Sequence, residues 1–171
     1  MKRIFPTTLS DVIRTLILLI PLSVLISFIL CYQIIHVKGT SMSPTLGNGD
    51  ICLTQKICLQ LDREDLIGFD VEIYGSNKSL VKRIIGLPGE TIDVHSSCIT
   101  IYRNNKGTSV IEEIYLDPQI KNPQPFSVTL GEDEYFVLGD NRQMSAGSVQ
   151  FGPVKRSQIK FKFILTLFRS L

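Results

Sequence analysis

The stretch Leu16-Ile17-Leu18-Leu19-Ile20-Pro21-Leu22-Ser23-Val24-Leu25-Ile26-Ser27-Phe28-Ile29-Leu30-Cys31-Tyr32 decides the architecture. From Thr15 to Val37 the only acidic or basic residue is His36, near the end of the run. A membrane-spanning helix needs about 20 mostly apolar residues, and this run supplies them. Pro21 is tolerated inside such a helix as a kink. A cleaved signal peptide would carry a shorter apolar core, about 7–15 residues, followed by a small-residue cleavage site. Here the run is longer, and Ile34-Ile35-His36-Val37 makes a poor cleavage site. The reading is an uncleaved anchor, with residues 1–14 as a cytoplasmic N-terminus, 15–36 as the transmembrane helix and 37–171 as an extracytoplasmic domain.

Charge supports that orientation. Lys2, Arg3 and Arg14 precede the span, and positive residues flank the cytoplasmic side. The chain has 18 Lys+Arg against 16 Asp+Glu. Removing Lys2, Arg3, Arg14 and Asp11 leaves 15 against 15, so the external domain is formally neutral. A nucleic-acid partner would want a basic face, and none is expected. Of the four cysteines, Cys31 falls in the span and Cys52, Cys58 and Cys98 fall outside. One disulfide can form among these three, but spacing does not choose the pair. No Cys-x-x-Cys occurs, and His36 and His95 are the only histidines. Neither a metal nor a cofactor is expected.

Beyond the span the chain reads as short strands and turns. Asp50 to Thr54, Leu66 to Tyr74, Leu80 to Ile85, Thr91 to Val94, Cys98 to Tyr102 and Tyr135 to Leu138 are strand candidates. Turns are expected at Gly47-Asn48-Gly49-Asp50, Gly75-Ser76-Asn77, Gly86-Leu87-Pro88-Gly89 and Asn104-Asn105-Lys106-Gly107. Pro118, Pro123 and Pro125 mark a surface connection. Phe161 to Phe168 is apolar but too short for a second helical span; a last strand or a membrane-contacting edge fits it. The expected fold class is mostly β: one N-terminal transmembrane helix, then a β-rich external domain.

The chemistry starts at Ser41, in Gly39-Thr40-Ser41-Met42-Ser43-Pro44-Thr45-Leu46, a few residues beyond the span. A serine hydroxyl is a weak nucleophile at neutral pH and needs an adjacent base. His36 lies at the membrane boundary, and His95 sits in a polar turn with no evident acidic partner. A lysine can serve if burial keeps its amine neutral. On a strand, Lys82 projects between Leu80 and Ile84. That is either a desolvating pocket or an exposed face from which the lysine snorkels.

Four stretches in order resemble the type I signal peptidases, membrane-bound Ser-Lys proteases. Ser41-Met42-Ser43-Pro44-Thr45-Leu46 matches the family's nucleophile stretch. Arg63-Glu64-Asp65-Leu66-Ile67-Gly68-Phe69 fits loosely the family pattern Arg-Gly-Asp-Ile-Val-Val-Phe. Lys82 to Glu90 meets the general-base pattern, and Gly139-Asp140-Asn141-Arg142 opens the last stretch. The resemblance implies Ser41 as nucleophile, Lys82 as general base, and Ser145 as the serine that hydrogen-bonds that base. It places Arg83 and Asp140 as structural residues near the site. It places Met42, Leu46, Leu80 and Val81 along shallow apolar substrate pockets for small side chains. The Ser41 backbone N–H would contribute to an oxyanion hole. Gly39 stands where some members add a hydroxyl donor.

The implied function is a membrane-bound serine endopeptidase that cleaves signal peptides from exported preproteins. Its partners would be those signal peptides and the lipid bilayer. The alternative is an accessory factor for surface pilus assembly that binds pilin precursors or assembly components with little or no proteolysis. One departure stands out. The family continues Ser-x-Asp-Ser-Arg, whereas this chain reads Ser145-Ala146-Gly147-Ser148-Val149. Loss of both charges together costs less than orphaning one. It leaves the loop looser, so Gly147→Asp with Val149→Arg is expected to raise turnover modestly.

Overall fold

In the structure, a computed structural model, the described residues are 8–56, 60–73, 75–94, 98–103, 108–111, 126–142 and 144–170. Helix α1 spans Leu9–Cys31, long enough at about 1.5 Å per residue to cross a hydrocarbon core of about 30 Å. Thr8 caps its start, accepting from the Asp11 N–H at 3.3 Å. Asp11 places a negative charge on the positive end of the helix. None of its side chains is buried within the protein. A helix that is apolar all round and covered by nothing suits a lipid surroundings.

The helix and the expected span overlap over residues 15–31. The next five residues, Tyr32–His36, form strand β1 instead. Lys56 grips this junction: its backbone N–H donates to Cys31 O at 2.7 Å. Its Nζ donates to Ile29 O at 3.1 Å. A cation on the last carbonyls suits the negative helix end.

The remaining chain folds as the strands β2 (Ile51–Gln55), β3 (Leu66–Ile73), β4 (Ser76–Gly86), β5 (Glu90–Val94), β6 (Ile99–Arg103), β7 (Thr108–Ile111), β8 (Phe126–Thr129), β9 (Glu134–Leu138), β10 (Val154–Lys155) and β11 (Ile159–Phe168). A short helix α2, Ser148–Phe151, precedes β10. Seven strands form one sheet in the order β1-β2-β11-β3-β4-β9-β10. Four form a second, in the order β7-β6-β5-β8. The mostly β reading therefore holds, and Phe161 to Phe168 is a strand, as anticipated. Strand β4 begins at Ser76, earlier than the sequence suggested. Gly75 turns the β3–β4 hairpin at φ +73°, a conformation glycine adopts without strain. Ile73 then pairs directly with Ser76. The turn expected at 104–107, the prolines of 118–125, His95 and Cys58 lie outside the described residues.

Three apolar clusters hold these layers together. Ile85, Ile92, Ile101, Phe136 and Leu138 join the two sheets. Ile67, Phe69, Ile84, Val137 and Ile159 fill one face of the large sheet. Val37, Met42, Leu46, Cys52 and Leu66 anchor the segment that carries Ser41. Among the described residues Cys31, Cys52 and Cys98 are free thiols. Burial raises the Cys52 thiol above its usual range.

Candidate active site

The segment after β1 is held at both ends. Gly39, at φ +90°, donates its N–H to Asn48 Oδ1 at 2.9 Å. Met42 and Leu46 pin the far side, both buried in the cluster beneath. The Leu46 N–H returns to Met42 O at 2.8 Å, closing one turn. Between these anchors Ser41 O accepts from the Asn141 N–H at 3.2 Å. Asn141 Nδ2 donates to Thr40 O, also at 3.2 Å. Among the described residues nothing accepts from the Ser41 N–H.

Lys82 meets Ser41 from β4. Its Nζ lies 2.8 Å from Ser41 Oγ, and only 1% of the residue is exposed. Strand alternation aligns it with Leu80 and Ile84, as the sequence implied. Of the two readings open for this lysine, the buried one is observed. Burial pushes its amine down from 10.5 to about 8, with the Asp140 charge pulling the other way. Loss of the proton would turn the amine into an acceptor for the Ser41 hydroxyl.

Next to Lys82, Arg83 takes both oxygens of the buried Asp140, from Nε at 2.9 Å and Nη2 at 2.6 Å. It also donates to Glu64 O at 2.8 Å and to Thr45 Oγ1 at 3.3 Å. One guanidinium thus ties β4, the Ser41 segment and the Gly139–Arg142 loop together, in the planar forked manner that only arginine offers.

Ser145 reaches the same place by close packing. A Cβ built on Gly139 would lie 1.9 Å from Ser145 Oγ and 2.5 Å from Ser41 O. Only a glycine lets these two serines converge on one backbone position. The Ser145 hydroxyl donates to Ala146 O at 3.3 Å and not to Lys82. Its expected contact with the base is absent from this arrangement, although the residue lies next to the pair.

The departure at Gly147 and Val149 has a packing explanation. Gly147 caps α2: its N–H donates to Gln150 Oε1 at 2.7 Å. A Cβ there would approach Leu138 Cδ2 to 2.8 Å and Val137 O to 3.0 Å. Val149 packs on the cluster of Ile85, Ile92 and Leu138. An apolar contact occupies this position, so the expected gain from Gly147→Asp with Val149→Arg is withdrawn. The Asp substitution alone is expected to cost about 1–3 kcal/mol through overpacking, and more if its charge stays buried. Urea unfolding of the single and double variants measures this, and a double variant as stable as the parent would refute it.

A cleft of about 320 Å³ opens beside Ser41. Ile35, Val37, Met42, Leu80, Val81 and Phe161 give it an apolar lining, with His36, Lys38 and Ser79 also on its wall. Of the four residues expected along substrate pockets, Met42, Leu80 and Val81 line it, whereas Leu46 lies buried below. The edge of β4 borders this space. Strand β9 pairs with β4 only at Arg83, Ile84 and Gly86. Among the described residues, Ser76–Lys82 are therefore paired on the β3 side alone. Sequence reasoning missed Phe161, Ile35 and Val37. Ile35 and Phe161 are ordinary apolar strand residues and Val37 directly follows β1, so nothing in their local pattern marks them as cleft lining.

The site is a serine–lysine pair at the edge of a β domain that follows a helix able to span a bilayer. A family model described as "Signal peptidase, peptidase S26" matches residues 9–168. The chain belongs to the type I signal peptidases, the S26 peptidase family. It is 33% identical to signal peptidase I of Bacillus licheniformis, covering 82% of this chain and 78% of that protein. It is 31% identical to signal peptidase I of Streptococcus pneumoniae, covering 86% and 90%. It is 30% identical to signal peptidase IB of Staphylococcus aureus, covering 72% and 71%. A solved signal peptidase I from Enterococcus faecalis aligns with a TM-score of 0.49 at 28% identity, covering 63% of this chain and 98% of that one.

Proposed function

We propose that this chain is a membrane-anchored serine endopeptidase that removes signal peptides from exported preproteins, with Ser41 as nucleophile and Lys82 as general base. The observation that carries the proposal is the 2.8 Å contact between a buried lysine amine and the Ser41 hydroxyl. Neutral Lys82 takes the hydroxyl proton as Ser41 Oγ attacks the scissile carbonyl. The Ser41 N–H, which has no acceptor among the described residues, donates to the developing oxyanion. The tetrahedral intermediate then expels the amine of the mature protein, with Lys82 returning the proton, and leaves an acyl-enzyme on Ser41. Water, deprotonated by Lys82, releases the signal peptide with a new carboxyl terminus. Arg83 and Asp140 act as positioning residues through the loops they join. In this reading Ser145 supports the pair through its packing against Gly139 beside Ser41.

An extended substrate fits along the unpaired β4 edge, where main-chain bonds give affinity and side-chain clefts give selection. Met42, Leu80 and Val81 then border the substrate, and Leu46 supports the loop from below. The anchor delivers the site to the membrane surface, with the N-terminus cytoplasmic and residues after His36 outside. Ile34, Ile164, Leu165, Leu167 and Phe168 are exposed on β1 and β11, an apolar surface next to the helix junction that suits contact with the bilayer. Protease added to intact spheroplasts is expected to digest the external domain. Digestion only after lysis would reverse the orientation.

The direct test incubates detergent-solubilised protein with a panel of exported precursors and identifies the products by mass spectrometry. Cleavage at one defined bond per precursor is the expected result. Absence of cleavage on every precursor would favour the pilus-assembly alternative. That alternative also predicts that Ser41→Ala protein keeps its full biological role.

Cleavage should depend on pH through Lys82. The rate is expected to rise along a single-proton limb as pH passes about 8, the value to which burial lowers the amine. Stability should follow the same group. The folded chain holds this proton less tightly than the unfolded chain, so the unfolded state binds more protons between about 8 and 10.5. Stability therefore rises with pH across that window, and the cost of charging Lys82 is complete below it. A pH–rate profile and urea unfolding at several pH values check both, with Lys82→Met losing the stability slope.

A further inference from the structure

Phe161 on β11 pairs with Gly68 on β3, and Gly68 pairs with Val81 on β4. Residues paired across antiparallel strands project from the same face, so these three form one row. Gly68 contributes no side chain, and the Phe161 ring fills the vacant place. A Cβ built on Gly68 would lie 1.9 Å from the ring Cζ and 2.3 Å from both Cε atoms. The ring thus lies flat over β3 and reaches toward Val81, where both line the cleft beside Ser41. The next row contains Ile67 and Lys82. That row projects from the opposite face of the sheet, so the ring shares the cleft with Ser41 and Val81 and not with the Lys82 side chain.

We infer that Phe161, seated on Gly68, is a specificity-determining residue: its ring is the floor of the cleft and limits one substrate side chain before the scissile bond to a small group. The inference rests on the peptidase reading. A substrate extended along the β4 edge, with its scissile carbonyl at Ser41, turns alternate side chains toward the Val81 face. One of them descends onto the ring. A larger side chain meets an aromatic face backed by the β3 main chain, which cannot recede. The floor is a matter of volume rather than chemistry, because Phe161 offers no polar group. Filling the same space from β3 should serve equally well.

The test uses the full-length protein in detergent and one cleaved precursor, with Ala, Leu and Phe placed singly at each of the three positions before the cut. For the parent, kcat/KM should favour Ala over Leu and Phe. Phe161→Ala and Phe161→Leu should shrink that preference by about tenfold or more at one position, leaving the others unchanged. Gly68→Val combined with Phe161→Ala should restore it. If both Phe161 variants keep the preference within about twofold of the parent at every position, the inference is overturned. Should Phe161→Ala lose cleavage altogether, the same panel is measured as peptide binding to Ser41→Ala proteins with and without the Phe161 changes, which reads the floor without turnover. Failure of the parent to cleave any precursor counts against the peptidase reading. The binding panel then decides the role of Phe161 on its own.

Discussion

Replacing Ser41 with alanine is expected to lower the cleavage rate of an exported precursor by at least about 10³-fold. Lys82→Met should bring a comparable loss, because it removes the only described basic side chain in contact with the Ser41 hydroxyl while keeping the packing volume. The informative result is the double variant. A nucleophile and its base act as one unit, so removing both should cost little more than removing either. Initial rates on one precursor for the four proteins decide this. Losses that multiply would show that the two side chains act separately, despite the 2.8 Å between them. The same Lys82→Met protein should be more stable than the parent at neutral pH. It no longer has to hold a depressed, buried amine in its charged form. Stability gained where activity is lost is the usual trade at a site whose chemistry needs a destabilised group.

The second large effect is on folding. Asp140→Ala is expected to destabilise the protein by about 3–5 kcal/mol, because Arg83 would be left charged, mostly buried and without its carboxylate. The side chains of Arg83 and Asp140 are only 11% and 1% exposed, so solvent screens this pair little. Arg83→Met with Asp140→Leu should cost less than Asp140→Ala alone, since no charge is then orphaned. Denaturant unfolding of the single and double variants measures the difference. Equal losses would mean that the pair is replaceable one partner at a time. Cleavage should fall in all of them, because Arg83 also holds Thr45, four residues beyond Ser41. In the double variant, restored stability without restored cleavage would separate the positioning role of Arg83 from its structural one.

The parts of this protein that the sequence by itself determined are those set by local physics. The apolar run fixes a helix able to cross a bilayer, because length and the absence of charge suffice for that. Alternation and turn residues placed most of the strands. Leu80, Lys82 and Ile84 had to share a face once β4 formed, because a strand repeats every second residue. Alternation could not say whether that face was covered. Only the tertiary structure decided that Lys82 is buried, because its amine meets Ser41, about forty residues earlier, and feels the Asp140 charge from the loop after β9. The loose match at Gly68 looked like a weak motif. In three dimensions it is the vacancy that Phe161 occupies, from a strand near the other end of the chain. Gly147 read as a lost acid and a looser loop, whereas the packed interior shows a position with no room for a side chain. For Lys82 and Gly68 the deciding contact joins residues far apart along the chain, and for Gly147 it joins a loop to the neighbouring strand β9. Local pattern sets which way a side chain points, but what it meets is decided by the closing of the sheets.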